Sequence, residues 1–166
     1  GGVVEHWLKA GACGIRLDVA DELPDAFLCA LRSRVKKTDK NAFVLGEVWE
    51  DASDKISYGK RRHYLGGREL DSVMNYPLRD ALIGYVKNGE TEPLRRATEG
   101  TYRRYPKQTS DNLLNFLGTH DTERIITKMS ETDTERMTND ELAVLRMTEE
   151  EREAASARVR LAFGIL

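Results

Sequence analysis

The chain has 166 residues, of which 40% are hydrophobic and 33% charged, with 26 Lys and Arg against 28 Asp and Glu. That length and apolar fraction suit one domain with a real core, and the near-neutral charge excludes a general electrostatic handle on nucleic acid or an anionic membrane. No apolar run approaches the ~20 residues that span a bilayer.

The first helix begins almost at once, with Val3, Val4, Trp7 and Leu8 on one face and Gly11 where a helix end favours it. Residues 12–19 (ACGIRLDV) read as a strand, and a helix follows with Pro24 in its first turn and Phe27, Leu28, Leu31 and Val35 facing inward. Residues 42–49 (AFVLGEVW) form a second strand, rich in β-branched and aromatic side chains. The stretch 51–68 reads as loop with one short helix, residues 70–75 as a third strand, and Pro77 opens a helix carrying Leu78, Ala81, Leu82, Tyr85 and Val86. Another helix covers 91–105, and residues 112–118 (NLLNFLG) make a fourth strand. From Asp121 onward the pattern is helical, with a charged insertion at 130–153 and a capping box, Thr148 with Glu151, at the start of the last helix. Cys13 and Cys29 lack metal-binding spacing; they read as small buried apolar residues, and being unpaired they lean toward an intracellular setting. The chain opens on Gly1 rather than Met, and the final stripe of Val159, Ala162, Phe163 and Leu166 still runs at its last residue. Residues 1–166 therefore read as a single piece of a longer domain, since an apolar face left without a partner is unstable.

Alternating apolar strands and amphipathic helices predict an α/β fold with a parallel sheet. Spacing favours part of an eight-fold βα barrel, in which about 31 residues make one unit. Asp18 ends the first strand, Glu47 the second 29 residues later, Asn75 the third 28 further on, and His120 with Asp121 the fourth about 46 beyond. No glycine-rich phosphate loop marks the alternative, a doubly wound sheet.

In such a barrel, catalytic groups project from the carboxyl ends of the strands, and three of these ends are acidic: Asp18, Glu47 and Asp121. Arg16 shares a strand face with Asp18, and its guanidinium favours an ionised carboxylate there, as a nucleophile requires. Glu47 has no neighbouring cation in sequence and lies between apolar residues, which predicts a raised pKa and a retained proton, as a general acid requires. Each feature alone has a plainer reading: an ion pair at Arg16 and Asp18, a helix cap at Asp121, a surface histidine at His120. Their coincidence at the strand ends favours the chemistry of glycosidic cleavage.

These residues resemble a known family. Residues 14–20 (GIRLDVA), 45–49 (LGEVW) and 116–121 (FLGTHD) are similar to three sequence blocks of the α-amylase family of glycoside hydrolases, in that order, and residues 69–77 (ELDSVMNYP) resemble its neopullulanase and cyclomaltodextrinase branch. The resemblance implies a (β/α)8 barrel, here from the helix before strand four through the helix after strand seven. It implies retaining cleavage of α-linked glucans, with Asp18 as nucleophile, Glu47 as acid and base, and Asp121 as the third carboxylate gripping sugar hydroxyls. Arg16 would orient Asp18 and hold it charged, and His120 would hydrogen-bond the sugar. Trp49 and Tyr76 are candidates for stacking on sugar rings. A nucleophile and acid working in this way sit about 5–5.5 Å apart.

Strands one to three, strand eight and the Asp- and His-bearing block near strand three lie outside the pattern found here, so the piece alone is expected to be inactive. Where many α-amylases carry Lys-His, this chain has Asp21 and Glu22, which weakens a calcium site at that point. No metal ligand or cofactor is assigned, and calcium stays open for the full-length protein, as does a homodimer. The expected partner is an α-glucan. A transglycosylase of the same family, or a catalytically silent binding or transporter-associated relative, are the alternative functions.

Overall fold

Residues 2–134 and 136–166 are described by a computed structural model. They divide into two compact units, one made of residues 1–78 and 95–115, the other of 79–94 and 116–166.

The first unit is built on a parallel sheet. Helix α1 (Val3–Lys9) leads to strand β1 (Gly14–Leu17) through Gly11, whose φ of +104° is one that side-chain-bearing residues rarely adopt. Helix α2 (Asp25–Thr38) returns the chain to strand β2 (Phe43–Gly46), and strand β5 (Ser72–Val73) adds to the other edge of β2. The order β1-β2-β5 is parallel throughout, with Ile15 opposite Val44 and Gly46 opposite Val73. Adjacent parallel strands in chain order, joined by a helical crossover, are what successive βα units produce. Leu28 and Val35 of α2 are buried with Leu17, Val44, Val48, Tyr64, Leu70 and Val73, and Val4, Leu8 and Leu31 pack against them. Asp71 ties this helix to the sheet: its carboxylate accepts the Val44 N–H at 2.8 Å and pairs with Arg32 and Lys36, each at 2.7 Å.

Several expectations are corrected here. Phe27 is exposed, because it lies one position off the stripe defined by Leu28, Leu31 and Val35. Cys13 is exposed and Cys29 half-buried, so neither is the buried apolar residue expected. The strands are shorter than their apolar runs. The predicted strand at 112–118 contributes one parallel bridge, Leu114 to Met74, because pairing with Val73 and Asn75 ends after a single step. No helix forms within 51–68. Instead, antiparallel strands β3 (Ile56–Ser57) and β4 (Lys60–Arg61) make a hairpin whose two turn residues, Tyr58 and Gly59, both have positive φ, as the tightest hairpin turns need. Tyr58 hid this turn, since Asn or Asp is the usual signal there.

Helix α3 (Tyr76–Asn88) and helix α4 (Thr91–Arg104) each begin or end across the division between units, and a short α5 (Lys107–Ser110) belongs to the first. The second unit packs Leu82, Ile83, Leu117, Met129, Ala155 and Ala162 into its own core. It contains α6 (Ile125–Met129), α7 (Asn139–Val144) and the long α8 (Glu149–Ile165). The Thr148–Glu151 capping box starts α8 as expected, and a second box, Thr138 with Glu141, starts α7 inside the charged 130–153 stretch. Among the described residues, no helix is long and apolar enough to cross a membrane.

Candidate active site

Glu47 is the first residue after β2, and Asp18 the first after β1. Parallel pairing carries the two strand ends side by side, and the Glu47 N–H donates to Leu17 O at 2.9 Å. Arg16, the third residue of β1, spans both acids: Nη1 is 2.7 Å from Asp18 Oδ1 and Nη2 is 2.9 Å from Glu47 Oε1. A guanidinium fork can serve two carboxylates at once, where an ammonium is a point charge.

The environment of Glu47 differs from the expected one. Its side chain is 4% exposed, and burial alone would raise its pKa. That effect is outweighed by the Val19 N–H donating to Oε2 at 3.0 Å, the Tyr76 hydroxyl donating to Oε1 at 3.0 Å and the Arg16 charge, so the pKa lies below the ordinary Glu value. The expected proton-retaining pocket is thus corrected. Residues adjacent in sequence supply no cation, but the neighbouring strand does.

The Val19 donor depends on an uncommon backbone. Val19 has φ 44° and ψ 53°, a left-handed conformation for a β-branched residue, which costs about 1–3 kcal/mol. One turn of 3-10 helix, Ala20–Glu22, follows, and the Ala20 N–H donates to Glu47 O at 3.0 Å. No local sequence signal marks this turn, because Val is a poor predictor of positive φ.

Tyr76 and Trp49 stack on each other, with ring centroids 4.4 Å apart and planes 14° from parallel. Trp49 is half-exposed and keeps surface on which a ring could lie. Tyr76 is 1% exposed, beneath Trp49 with its hydroxyl on Glu47.

In the second unit, His120 Nε2 is 3.1 Å from Asp121 Oδ2, and both side chains are exposed. Asp121 sits in a turn where its N–H donates to Thr119 Oγ1 at 3.2 Å, and the cap of the following helix α6 is Arg124 instead.

Asp21 and Glu22 are engaged by protein donors. Asp21 Oδ1 accepts the Tyr64 hydroxyl at 3.0 Å, Asp21 Oδ2 pairs with Lys55 at 2.9 Å, and Glu22 bonds the Tyr58 hydroxyl. Among the described residues, no group of three or more His, Cys, Asp or Glu is placed to hold a metal ion.

The parallel sheet thus carries an arginine-bridged pair of acids at its carboxyl edge, the edge at which βα folds present their functional groups. The chain belongs to the α-amylase family: the family's model, described as "Alpha amylase, catalytic domain", matches residues 1–151. Membership implies a (β/α)8 barrel, of which this chain is a part with mixed helix and strand. It is 39% identical over 127 residues to neopullulanase 2 of Thermoactinomyces vulgaris, covering 75% of this chain and 20% of that protein. It is 37% identical over 128 residues to a cyclomaltodextrinase of Thermoanaerobacter pseudethanolicus, covering 75% and 21%. Ligand-free cyclic α-maltosyl-(1→6)-maltose hydrolase from Arthrobacter globiformis is similar in structure, with a TM-score of 0.67 at 28% identity over 76% of this chain and 27% of that one. These homologues are glycoside hydrolases, as the resemblance implied, and the chain spans about a fifth of the length of the two curated relatives.

Proposed function

We propose that the protein carrying this chain is a retaining glycoside hydrolase acting on α-glucosidic bonds, as in starch, maltooligosaccharides, cyclodextrins or pullulan. The observation that carries the reading is the Arg16 fork, which joins Asp18 and Glu47 at the ends of adjacent parallel strands.

Asp18, with its side chain two-thirds exposed, attacks the anomeric carbon, and the bond to the leaving oxygen breaks as that oxygen takes a proton from Glu47. The enzyme molecules in which Glu47 carries that proton are the active ones, so the Glu47 pKa sets the basic limb of the rate profile. Once Asp18 is esterified its negative charge is gone and Arg16 serves Glu47 alone, which favours the carboxylate. Glu47 then takes a proton from water as the water attacks, the ester bond breaks, and Asp18 is released. Trp49 offers a platform for a sugar ring. Asp121 is assigned to gripping sugar hydroxyls and His120 to hydrogen-bonding the sugar, on the family pattern. The piece corresponds to strands four to seven of the barrel and is inactive by itself.

The test is turnover of maltooligosaccharides and cyclodextrin by the full-length protein and by its Asp18→Asn and Glu47→Gln variants. Loss of turnover in both is the expected result, and either variant keeping most of its activity would sink the assignment.

A further inference from the structure

Six contacts converge on the three residues that follow Ala20. Ser57 Oγ and Arg62 Nη1 donate to Asp21 O at 3.1 and 3.0 Å, and Arg62 Nη2 donates to Leu23 O at 2.5 Å. The Tyr64 hydroxyl reaches Asp21 Oδ1, Lys55 reaches Asp21 Oδ2, and the Tyr58 hydroxyl reaches Glu22. Every donor lies in residues 55–64, the hairpin and its flanks, and every acceptor in residues 21–23.

Arg62 is the centre of this clasp. It is 7% exposed, its guanidinium lies 4.9 Å from the centre of the Tyr64 ring, and its Nε is 2.9 Å from Asp25 Oδ1. A buried arginine that sends both terminal nitrogens to carbonyls of one turn fixes backbone position as well as pairing with a carboxylate, here Asp25. The backbone it fixes continues directly into Val19: Glu22 N donates to Val19 O, and Leu23 N to Ala20 O. A left-handed valine relaxes unless its surroundings over-determine it.

We propose that Arg62 is a positioning residue of the candidate site, which by pinning residues 21–23 holds Val19 left-handed and keeps its N–H on Glu47. The inference rests on the reading of Glu47 as acid and base. The charged and titratable groups around Glu47 are Arg16 and Asp18 from β1 and its end and Tyr76 from α3; around Arg62 they are Asp25, Tyr64, Glu69 and His63, with Lys55 and Glu50 flanking the clasp. When the clasp loosens, Glu47 loses a donor to its charged form. The basic limb of the rate profile, where the acid must keep its proton, then moves to higher pH.

The experiment uses the full-length protein with Arg62→Lys, which cannot span two carbonyls with a planar fork, and Arg62→Lys combined with Val19→Asn, since Asn tolerates the left-handed region. With a maltooligosaccharide, Arg62→Lys is expected to shift the basic limb of kcat upward by about one pH unit. It is also expected to lower kcat roughly tenfold while KM stays within about twofold, because the loss falls on the reacting group rather than on uniform binding. Adding Val19→Asn is expected to return the limb toward its original position. A folded Arg62→Lys protein with an unmoved limb, or a double variant with no return, overturns the proposal.

Should Arg62→Lys fail to fold, Tyr64→Phe removes one clasp contact while sparing the ring, and its expected shift is smaller and in the same direction; an unmoved limb there is equally fatal. A wild-type protein without α-glucan hydrolysis defeats the proposed function instead. The clasp is then read by carbon-13 titration of the Glu47 carboxyl, assigned with Glu47→Gln, whose pKa must rise in Arg62→Lys if the inference holds.

Discussion

The Tyr76 hydroxyl donates to Glu47 Oε1 over 3.0 Å, on the same oxygen that Arg16 Nη2 approaches at 2.9 Å. One carboxylate oxygen therefore takes a neutral and a charged donor, while Oε2 takes the Val19 N–H. Three donors to an ionised group explain why a nearly buried Glu sits below its usual range rather than above it.

Tyr76→Phe isolates one of these donors, because the ring that stacks on Trp49 is kept. A hydrogen bond to a charged group is worth about 1.5–3 kcal/mol, which corresponds to roughly one to two pH units. Removing a bond that favours the ionised form raises the Glu47 pKa. The basic limb of kcat is expected to move up with modest change in KM, measured on maltooligosaccharide from pH 4 to 9. A basic limb that moved down would mean that Tyr76 stabilises the protonated acid instead.

Gly46 carries a second prediction, for packing. It is the last residue of β2, and a Cβ there would overlap the end of the buried Leu70 side chain and approach Ala20. Leu70 has little room to yield, so Gly46→Ala is expected to destabilise by about 1–3 kcal/mol. Urea or thermal unfolding reads this directly, and a neutral result would show that the 70–71 segment shifts freely.

How far the fold was legible follows from where each determinant sits. β1, α2, β2 and α3 were visible because their apolar residues repeat with the period of the element, and Asp18 and Glu47 were visible because acids directly follow apolar strands. The hairpin at 56–61 was not, since its turn uses Tyr58 where sequence rules look for Asn or Asp. The ionisation of Glu47 has no local signature for a related reason. Its cation, Arg16, is 31 residues earlier in sequence and adjacent only through strand pairing. Arg62, roughly 40 residues from the carbonyls it holds, had no local signature at all.

Glu69 carries the last prediction, concerning stability against pH. Its side chain is buried, and Oε2 has no hydrogen-bond partner among the described residues. Burial raises its pKa and the Asp25 charge raises it further, with Arg62 and His63 opposing in part. A carboxyl raised in the folded state costs nothing below its unfolded pKa, where both states are protonated. As pH climbs through the unfolded and then the folded value, the unfolded chain gives up its proton first and stability falls. Glu69→Gln removes that titration while keeping the shape. It is expected to gain about 1 kcal/mol at pH 7, or roughly 2–4 °C in Tm, and little or nothing at pH 4. Melting curves at the two pH values decide it: an equal gain at both would assign the effect to packing, and a loss at pH 7 would show that the Glu69 charge is needed beside Arg62.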